Sequence, residues 1–449
     1  MPFGKNFVWG VASSAYQIEG SALADGGGAS IWDVFSHTPG KIYENQNGDI
    51  ACDAYNRYEE DIALMQQLKL GAYRFSISWA RVDPLGDGNW NPHALAYYDR
   101  VVNTCLSKGI QPYITLYHWE LPQALQDKGG WLMRDTAQAF AQYAAKIAQH
   151  FKGQATHYVV LNEPQCSVFL GYATGAHAPG LMLPTQQLFA CWHHLMLAYG
   201  LGAKAIRETD ETAHISIATT GRLCYPNNND LETINAAQAE SFSITGEDWM
   251  FTHSMALDPI CFGTYPVCPP SALADCIQAV AAEDLETIHF VPDFISVNIY
   301  NGQEVYAKNG IAEYKKRYDG FPRTALKWPV TPEVMHWGML FLHQRYKLPL
   351  YVTENGLSCN DKVYLDGKVH DPDRIDFLHR YLRSLQHAIQ DGADIRGYFH
   401  WSFTDNFEWN NGYNERFGLV YIDYPTQKRI LKDSAFWYAK LIQSNGEGL

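Results

Sequence analysis

Tyr158-Val159-Val160-Leu161-Asn162-Glu163-Pro164 and Leu350-Tyr351-Val352-Thr353-Glu354-Asn355-Gly356 share one design: a short β-branched apolar run, then a polar cluster holding a glutamate. Runs of that length and composition, bounded by turn residues, read as strands buried on both faces. Six further runs follow the pattern, at residues 7–11, 73–77, 112–116, 215–218, 294–297 and 397–400, which brings the total to eight. Longer segments of helical period separate them, the alternation expected of βα units around a parallel sheet. Asn91-Pro92 opens one helix, with Leu95, Tyr98, Val102 and Cys105 on a single face before Gly109. Proline at the first helical position and glycine beyond the last is the physically favoured order. Thr331-Pro332-Glu333 and Asp371-Pro372 open two more, the second carrying Ile375, Leu378, Leu382, Leu385 and Ile389 before Gly392.

At roughly 150 residues per domain, 449 residues suggest about three domains. Yet no linker, composition shift or solenoid-length repeat interrupts the series. Residues 1–449 are therefore expected to form a single α/β domain, a (β/α)8 TIM barrel whose long βα loops hold the surplus length.

Composition narrows the function. Hydrophobic residues make up 47% and charged residues 18%, enough apolar surface for a large core, which argues against disorder and a coiled coil. A net charge of −14 repels nucleic-acid backbones and anionic membranes, so neither is an expected partner. Residues 164–203 lack Asp, Glu, Lys and Arg, but Pro179, Pro184 and two adjacent histidines break any spanning helix, and the stretch reads as protein interior. Thirteen Trp and 28 Tyr supply many rings with a polar edge, suited to a large aromatic core or to walls that stack on sugars. The nine cysteines are scattered and include no Cys-x-x-Cys pair, a pattern of reduced thiols rather than of a disulfide framework or zinc site. Met1-Pro2-Phe3-Gly4-Lys5 lacks the apolar core of a secretory signal, so the expected location is cytoplasmic.

In a (β/α)8 barrel, side chains at strand C-termini converge on one mouth. Those positions are Gln17 past the first strand, Arg74 within the second, His118-Trp119 after the third, Asn162-Glu163 after the fourth, Asn298 and Tyr300 after the sixth, Glu354 after the seventh and Trp401 after the eighth. Singly, Glu163 or Glu354 reads as a cap or an ion-pair partner. As a pair facing one cavity among Trp, His and Asn, they have what glycosidic-bond cleavage needs: one group to protonate the leaving oxygen and one to attack or to activate water.

Here the sequence closely resembles the family-one glycoside hydrolases, the β-glucosidase and β-galactosidase group, over essentially its whole length. The resemblance is carried by the stretch from Phe7-Val8-Trp9-Gly10 to Gln17-Ile18-Glu19-Gly20, by Asn162-Glu163-Pro164 and by Thr353-Glu354-Asn355-Gly356, in that order. It implies a retaining double displacement with Glu354 as nucleophile and Glu163 as acid/base, their carboxyl groups about 5 to 5.5 Å apart. Arg74, Tyr300 and Asn298 complete the implied catalytic group, Arg74 and Tyr300 favouring the anionic form of Glu354. The glycone contacts implied are Gln17, His118, Trp119, Asn162, Glu408, Trp409 and Phe417, with Trp401 as stacking floor. Cys166, His177 and Trp328 fall on the aglycone side. Three residues depart from the usual pattern: Gln165 stands where many relatives carry Trp, Glu120 where Asp is usual, and Ala80 where Ser is common.

The expected ligands are small β-glucosides and cello-oligosaccharides, with no cofactor and no metal, and the oligomeric state stays open. A 6-phospho-β-glucosidase is the nearest alternative, since that branch holds a phosphate with Ser, Lys and Tyr after the eighth strand. Here Glu408 and Glu415 would repel a dianion, and Arg416 is the single residue pointing the other way. A catalytically silent sugar-binding barrel is the alternative of another class, opposed by the presence of both carboxylates. A metal hydrolase lacks His-x-His and His-Glu-x-x-His spacing, and neither a phosphate-binding loop nor a Gly-x-Ser-x-Gly elbow occurs.

Overall fold

The computed structural model describes residues 3–244 and 249–449; Met1 and Pro2, which open the stretch read for a signal, lie outside the described residues. Eight parallel strands close into a barrel. In chain order they are β1 (Val8–Ala12), β2 (Ala72–Ser76), β3 (Gln111–Tyr117), β4 (His157–Asn162), β5 (His214–Thr219), β6 (Phe294–Asn298), β7 (Leu350–Asn355) and β8 (Ile395–Trp401). Each pairs with the next, and the ring closes where Val8 lies opposite Gly397 and Ala12 opposite Trp401. All eight expected strands are present. Several run a residue or two past the apolar stretch, because the ladder uses backbone groups and accepts Asn162, Asn298 and Asn355 as readily as valine.

The two-residue period of a strand sorts side chains between two environments. In β2, Tyr73 and Phe75 point outward into the core shared with the helices, while Ala72 packs inside the barrel and Arg74 follows it upward. Rings plug the lower barrel: Tyr113 lies against Phe399 with centroids 4.9 Å apart, and Phe294 against Tyr351 at 4.8 Å. Gly10 makes room for that plug, since a Cβ there would sit 2.5 Å from the Phe399 ring.

The helix starts read from sequence hold, with caps built differently. The Asn91 side chain accepts a hydrogen bond from the His93 N–H ahead of Pro92–Ser107. Helices Glu333–Tyr346 and Pro372–Gln390 begin as expected, but Thr331 Oγ1 accepts from Gly302 N, and Asp371 serves Arg374 and Ser434 instead of capping. The uncharged stretch 164–203 forms Pro164–Val168, the π turn Phe169–Ala173 and most of Thr185–Thr209, whose inner face is buried. Two accessory sheets had no sequence signal. Cys224–Pro226, Gln303–Lys308 and Ile311–Tyr314 tie the loops after β5 and β6 together, and Val420–Asp423 pairs with Lys428–Leu431 after β8. Their strands run three to six residues, too short for a period to develop. Among the described residues, no helix is long and apolar enough to cross a membrane, and all nine cysteines are free.

Candidate active site

Both glutamates stand where the barrel loses its regular register. The β4–β5 pairing shifts between Val159 and Asn162, and the β6–β7 pairing shifts between Val352 and Glu354. Such irregularities re-aim side chains that strict alternation would turn outward. In β7, consecutive residues thus reach the same interior network: Thr353 Oγ1 donates to Asn298 Oδ1 at 2.8 Å, and Glu354 meets Arg74. Glu163 adopts a left-handed φ of 44°, a conformation uncommon for a non-glycine residue, with its N–H fixed to Ala218 O at 2.8 Å. Gly356 in the same motif admits no side chain, since a Cβ would lie 1.9 Å from Trp401 O.

Arg74 is fully buried and holds three strands at once. Its Nη1 donates to Glu354 Oε1 at 2.6 Å, Nη2 to Asn162 Oδ1 at 2.6 Å and Nε to Thr115 Oγ1 at 3.0 Å. Tyr300 OH donates to the other Glu354 oxygen at 2.8 Å. Among the described residues Glu163 touches no cation: its Oε1 accepts from Asn298 Nδ2 at 2.8 Å, and the same amide donates to Asn162 Oδ1 at 3.0 Å. This asymmetry separates the two carboxyls. Burial, then the charge of Glu354, pushes Glu163 up to about 7. Burial also raises Glu354, but its ion pair with Arg74 and hydrogen bonds from Arg74 and Tyr300 oppose the rise. The shared proton therefore resides on Glu163, and Glu354 carries the charge.

Asn162 Oδ1 accepts from both Arg74 and Asn298, which fixes its amide so that Nδ2 donates to His118 Nε2 at 3.1 Å. Burial and the Arg74 charge hold His118 neutral, so its proton sits on Nδ1, a buried atom without a partner among the described residues. The His118 ring stacks with Trp401 at 5.8 Å. Gln17, on the turn Ala15–Ile18, donates to Phe407 O at 2.9 Å and Asn406 Oδ1 at 3.1 Å, with Glu408 Oε2 at 3.4 Å. Burial, then the neighbouring Glu415 and Glu354 charges, push Glu408 up to about 8.

A cavity of about 290 Å³ gathers His118, Trp119, Glu163, Cys166, His177, Tyr300, Trp328, Glu354, Trp401, Glu408 and Trp409. Arg74, Asn162 and Gln17 lie beneath it, buried. Phe417 packs behind the wall, its ring 6.4 Å from Tyr300 and 6.1 Å from Trp328. Trp119 spends its indole N–H on Asn162 O at 3.0 Å and so offers the cavity a ring face. A second cleft of about 470 Å³ shares Glu163, Cys166, Leu170, Tyr300 and Trp328 and continues past Asn298, Phe251 and residues 220–223. Gln165 is fully buried and turned toward Thr252 O. Sequence reading overlooked Leu326, Asn410 and Asn411 on the wall and the loop residues 220–223; their motifs are loops without a period, and only their position in space brings them here.

Arg416, the single residue that favoured a phosphosugar, is committed elsewhere. Its Nη1 donates to Asp405 Oδ2 at 2.6 Å and to Ile422 O at 3.0 Å, and its guanidinium lies 4.0 Å from the Tyr421 ring centroid.

The family model for glycosyl hydrolase family 1 matches residues 1–447. The chain is 41% identical over 447 residues to a 1,4-beta-D-glucan glucohydrolase of Thermotoga neapolitana, covering 99% of both chains. It is 37% identical to a bifunctional beta-D-glucosidase/beta-D-fucosidase of Bifidobacterium breve, covering 98% of each. The solved beta-glucosidase from Thermotoga maritima in complex with glucoimidazole superposes with a TM-score of 0.89 at 40% identity, covering 99% of both chains. With two unequal glutamates at the mouth of a (β/α)8 barrel and likeness along its full length, this chain belongs to glycosyl hydrolase family 1.

Proposed function

We propose that the protein is a retaining β-glucosidase, with residues 1–449 serving one catalytic barrel. It releases terminal, non-reducing β-D-glucosyl residues, and β-galactosyl or β-fucosyl residues, from oligosaccharides and from aryl or alkyl glycosides. One observation carries the assignment of roles: of two carboxyls on one cavity, Glu354 is paired with a buried arginine and Glu163 is not.

In the first step Glu354 attacks the anomeric carbon, the glycosidic C–O bond breaks, and the departing oxygen takes the Glu163 proton. In the second, water gives a proton to Glu163 carboxylate and its oxygen displaces Glu354, which restores the β configuration. Asn162, Gln17, His118, Glu408 and Trp409 bind the glycone hydroxyls, over Trp401 as the stacking floor, and a protonated Glu408 keeps an acceptor oxygen while gaining a donor. Asn162 faces the 2-hydroxyl, whose hydrogen bond strengthens as the oxocarbenium-like transition state forms. The cleft beyond Glu163 suits the remaining sugars of a cello-oligosaccharide, with Trp328, Cys166 and His177 near the leaving group. Cellobiose degradation in the cytoplasm is the setting we assign. The Glu415 charge beside Glu408, with Arg416 already paired to Asp405, disfavours a 6-phosphate.

The test is a proton NMR time course on p-nitrophenyl β-D-glucoside, following which glucose anomer appears before mutarotation. β-Glucose first is the expected result. α-Glucose first would overturn the nucleophile assignment, and absence of turnover would overturn the neutral-glucosidase reading.

A further inference from the structure

Thr353 precedes Glu354 on β7, at the register shift between Val352 and Glu354. It is fully buried, its carbonyl accepts from Arg74 Nη1 at 3.4 Å, and its hydroxyl lies 2.8 Å from Asn298 Oδ1. The double displacement itself leaves that hydroxyl without a task.

A chain of buried hydrogen bonds fixes the direction of the contact. Arg74 can only donate, so the Asn162 atom 2.6 Å from its Nη2 is the carbonyl oxygen Oδ1. The Asn298 atom 3.0 Å from that oxygen must in turn be a donor, the amide nitrogen Nδ2. Asn298 Oδ1 therefore faces Thr353, and the threonine O–H is the donor. Nδ2 spends its second N–H on Glu163 Oε1 at 2.8 Å. In a protonated carboxyl the carbonyl oxygen is the better acceptor, so this N–H favours the acid proton on Oε2. An amide turned over would set its carbonyl against Oε1 and draw the proton there instead.

We propose that Thr353 is a positioning residue for the acid/base: its hydroxyl holds the Asn298 amide in the orientation that keeps Glu163 Oε1 an acceptor and the transferable proton on Oε2. The inference rests on the assignment of Glu163 as acid/base. Thr353 forms and breaks no bond in the reaction. It acts from the nucleophile's own strand, through an amide on β6, and so ties the geometry of one carboxyl to the other. Its contribution can be removed at nearly constant shape. Valine replaces the hydroxyl by a methyl, keeps the β-branched side chain that suits a strand, and leaves Asn298 Oδ1 without this donor.

The leaving group separates a fault in the acid from a general loosening of the barrel. Cellobiose demands protonation, and a dinitrophenyl β-glucoside hardly does. In Thr353→Val, kcat/KM for cellobiose should fall about tenfold further than for the dinitrophenyl substrate, whereas Thr353→Ser, which keeps the donor, should hold the wild-type ratio. Thr353→Ala also lacks the hydroxyl and should follow valine, which keeps the test open if the valine variant does not fold. Glu163→Ala is run alongside, and equal losses on both substrates there would refute the acid role and with it the functional reading. With that control passed, adding Thr353→Val to Glu163→Ala should leave the ratio of the two substrates where Glu163→Ala alone puts it. An unchanged ratio in the valine and alanine single variants overturns the proposal. So does a serine variant that follows them, or a ratio that moves as far without Glu163 as with it.

Discussion

Replacing Arg74 by Met isolates the interaction that makes the two glutamates unequal. The guanidinium touches Glu354 at 2.6 Å, and both side chains are almost fully buried, so salt screens the pair little. With charge centres about 4 Å apart and an effective dielectric of about 20, the attraction is worth about 4 kcal/mol, or about three powers of ten in proton affinity. Tyr300 still donates to Glu354 in the variant and returns part of that, leaving a net rise of about two units. The nucleophile must be ionised. Raising its pKa therefore preserves activity only above the new value and removes it as pH falls, so the acid limb of kcat/KM moves up toward the limb set by Glu163 near 7. Near pH 6, with the limb at about 7, roughly a tenth of the nucleophile stays ionised, so kcat/KM should fall by about tenfold from protonation alone. The assay is kcat/KM between pH 4 and 9 on an activated aryl β-glucoside, for which protonation by Glu163 is not demanding, with a thermal melt to confirm folding. Arg74→Lys keeps the charge but cannot span Glu354, Asn162 and Thr115 together; its acid limb should stay near wild type while kcat drops. An unmoved acid limb in folded Arg74→Met would refute the claim that this ion pair sets the protonation order.

Three shorter predictions accompany it. Glu354→Ala should abolish hydrolysis and regain turnover in azide with an α-configured glycosyl azide as product; a β-configured product would remove Glu354 from the nucleophile role. Glu163→Ala should depress kcat/KM for cellobiose on the order of a hundredfold more than for a dinitrophenyl glucoside, and equal losses would count against its role as acid. p-Nitrophenyl β-D-glucoside should be turned over at least about a hundredfold faster than its 6-phosphate, because Glu408 offers a phosphate no positive charge, the Glu415 charge lies beside it and Arg416 is held by Asp405; comparable rates would reverse that reading.

Some of this was legible in the residues themselves. Eight apolar runs gave eight strands because burial on both faces of a parallel sheet demands continuous β-branched sequence, and Asn91-Pro92 announced a helix because the chemistry of its cap is local. Glu163 and Glu354 stood out for the same local reason, each being the carboxylate that follows a strand. What sequence left open is everything that depends on distance between elements. Arg416 read alone is a phosphate ligand as easily as an ion-pair partner, and Asp405 and the Tyr421 ring decide between them. Trp119 read as a sugar contact, and His-Trp spacing alone could not show that its N–H is taken by Asn162 O, which leaves the ring face on the cavity.

The sequence by itself determined the strand count, the barrel and the identity of the two carboxylates, because periodicity and turn chemistry act between near neighbours in the chain. The resemblance implied that Glu163 holds the proton; only the tertiary structure supplied the physical reason. Its place depends on Arg74 and Asn298, which reach Glu354 and Glu163 from other strands, 280 and 135 residues away in sequence, and on burial that strengthens each contact.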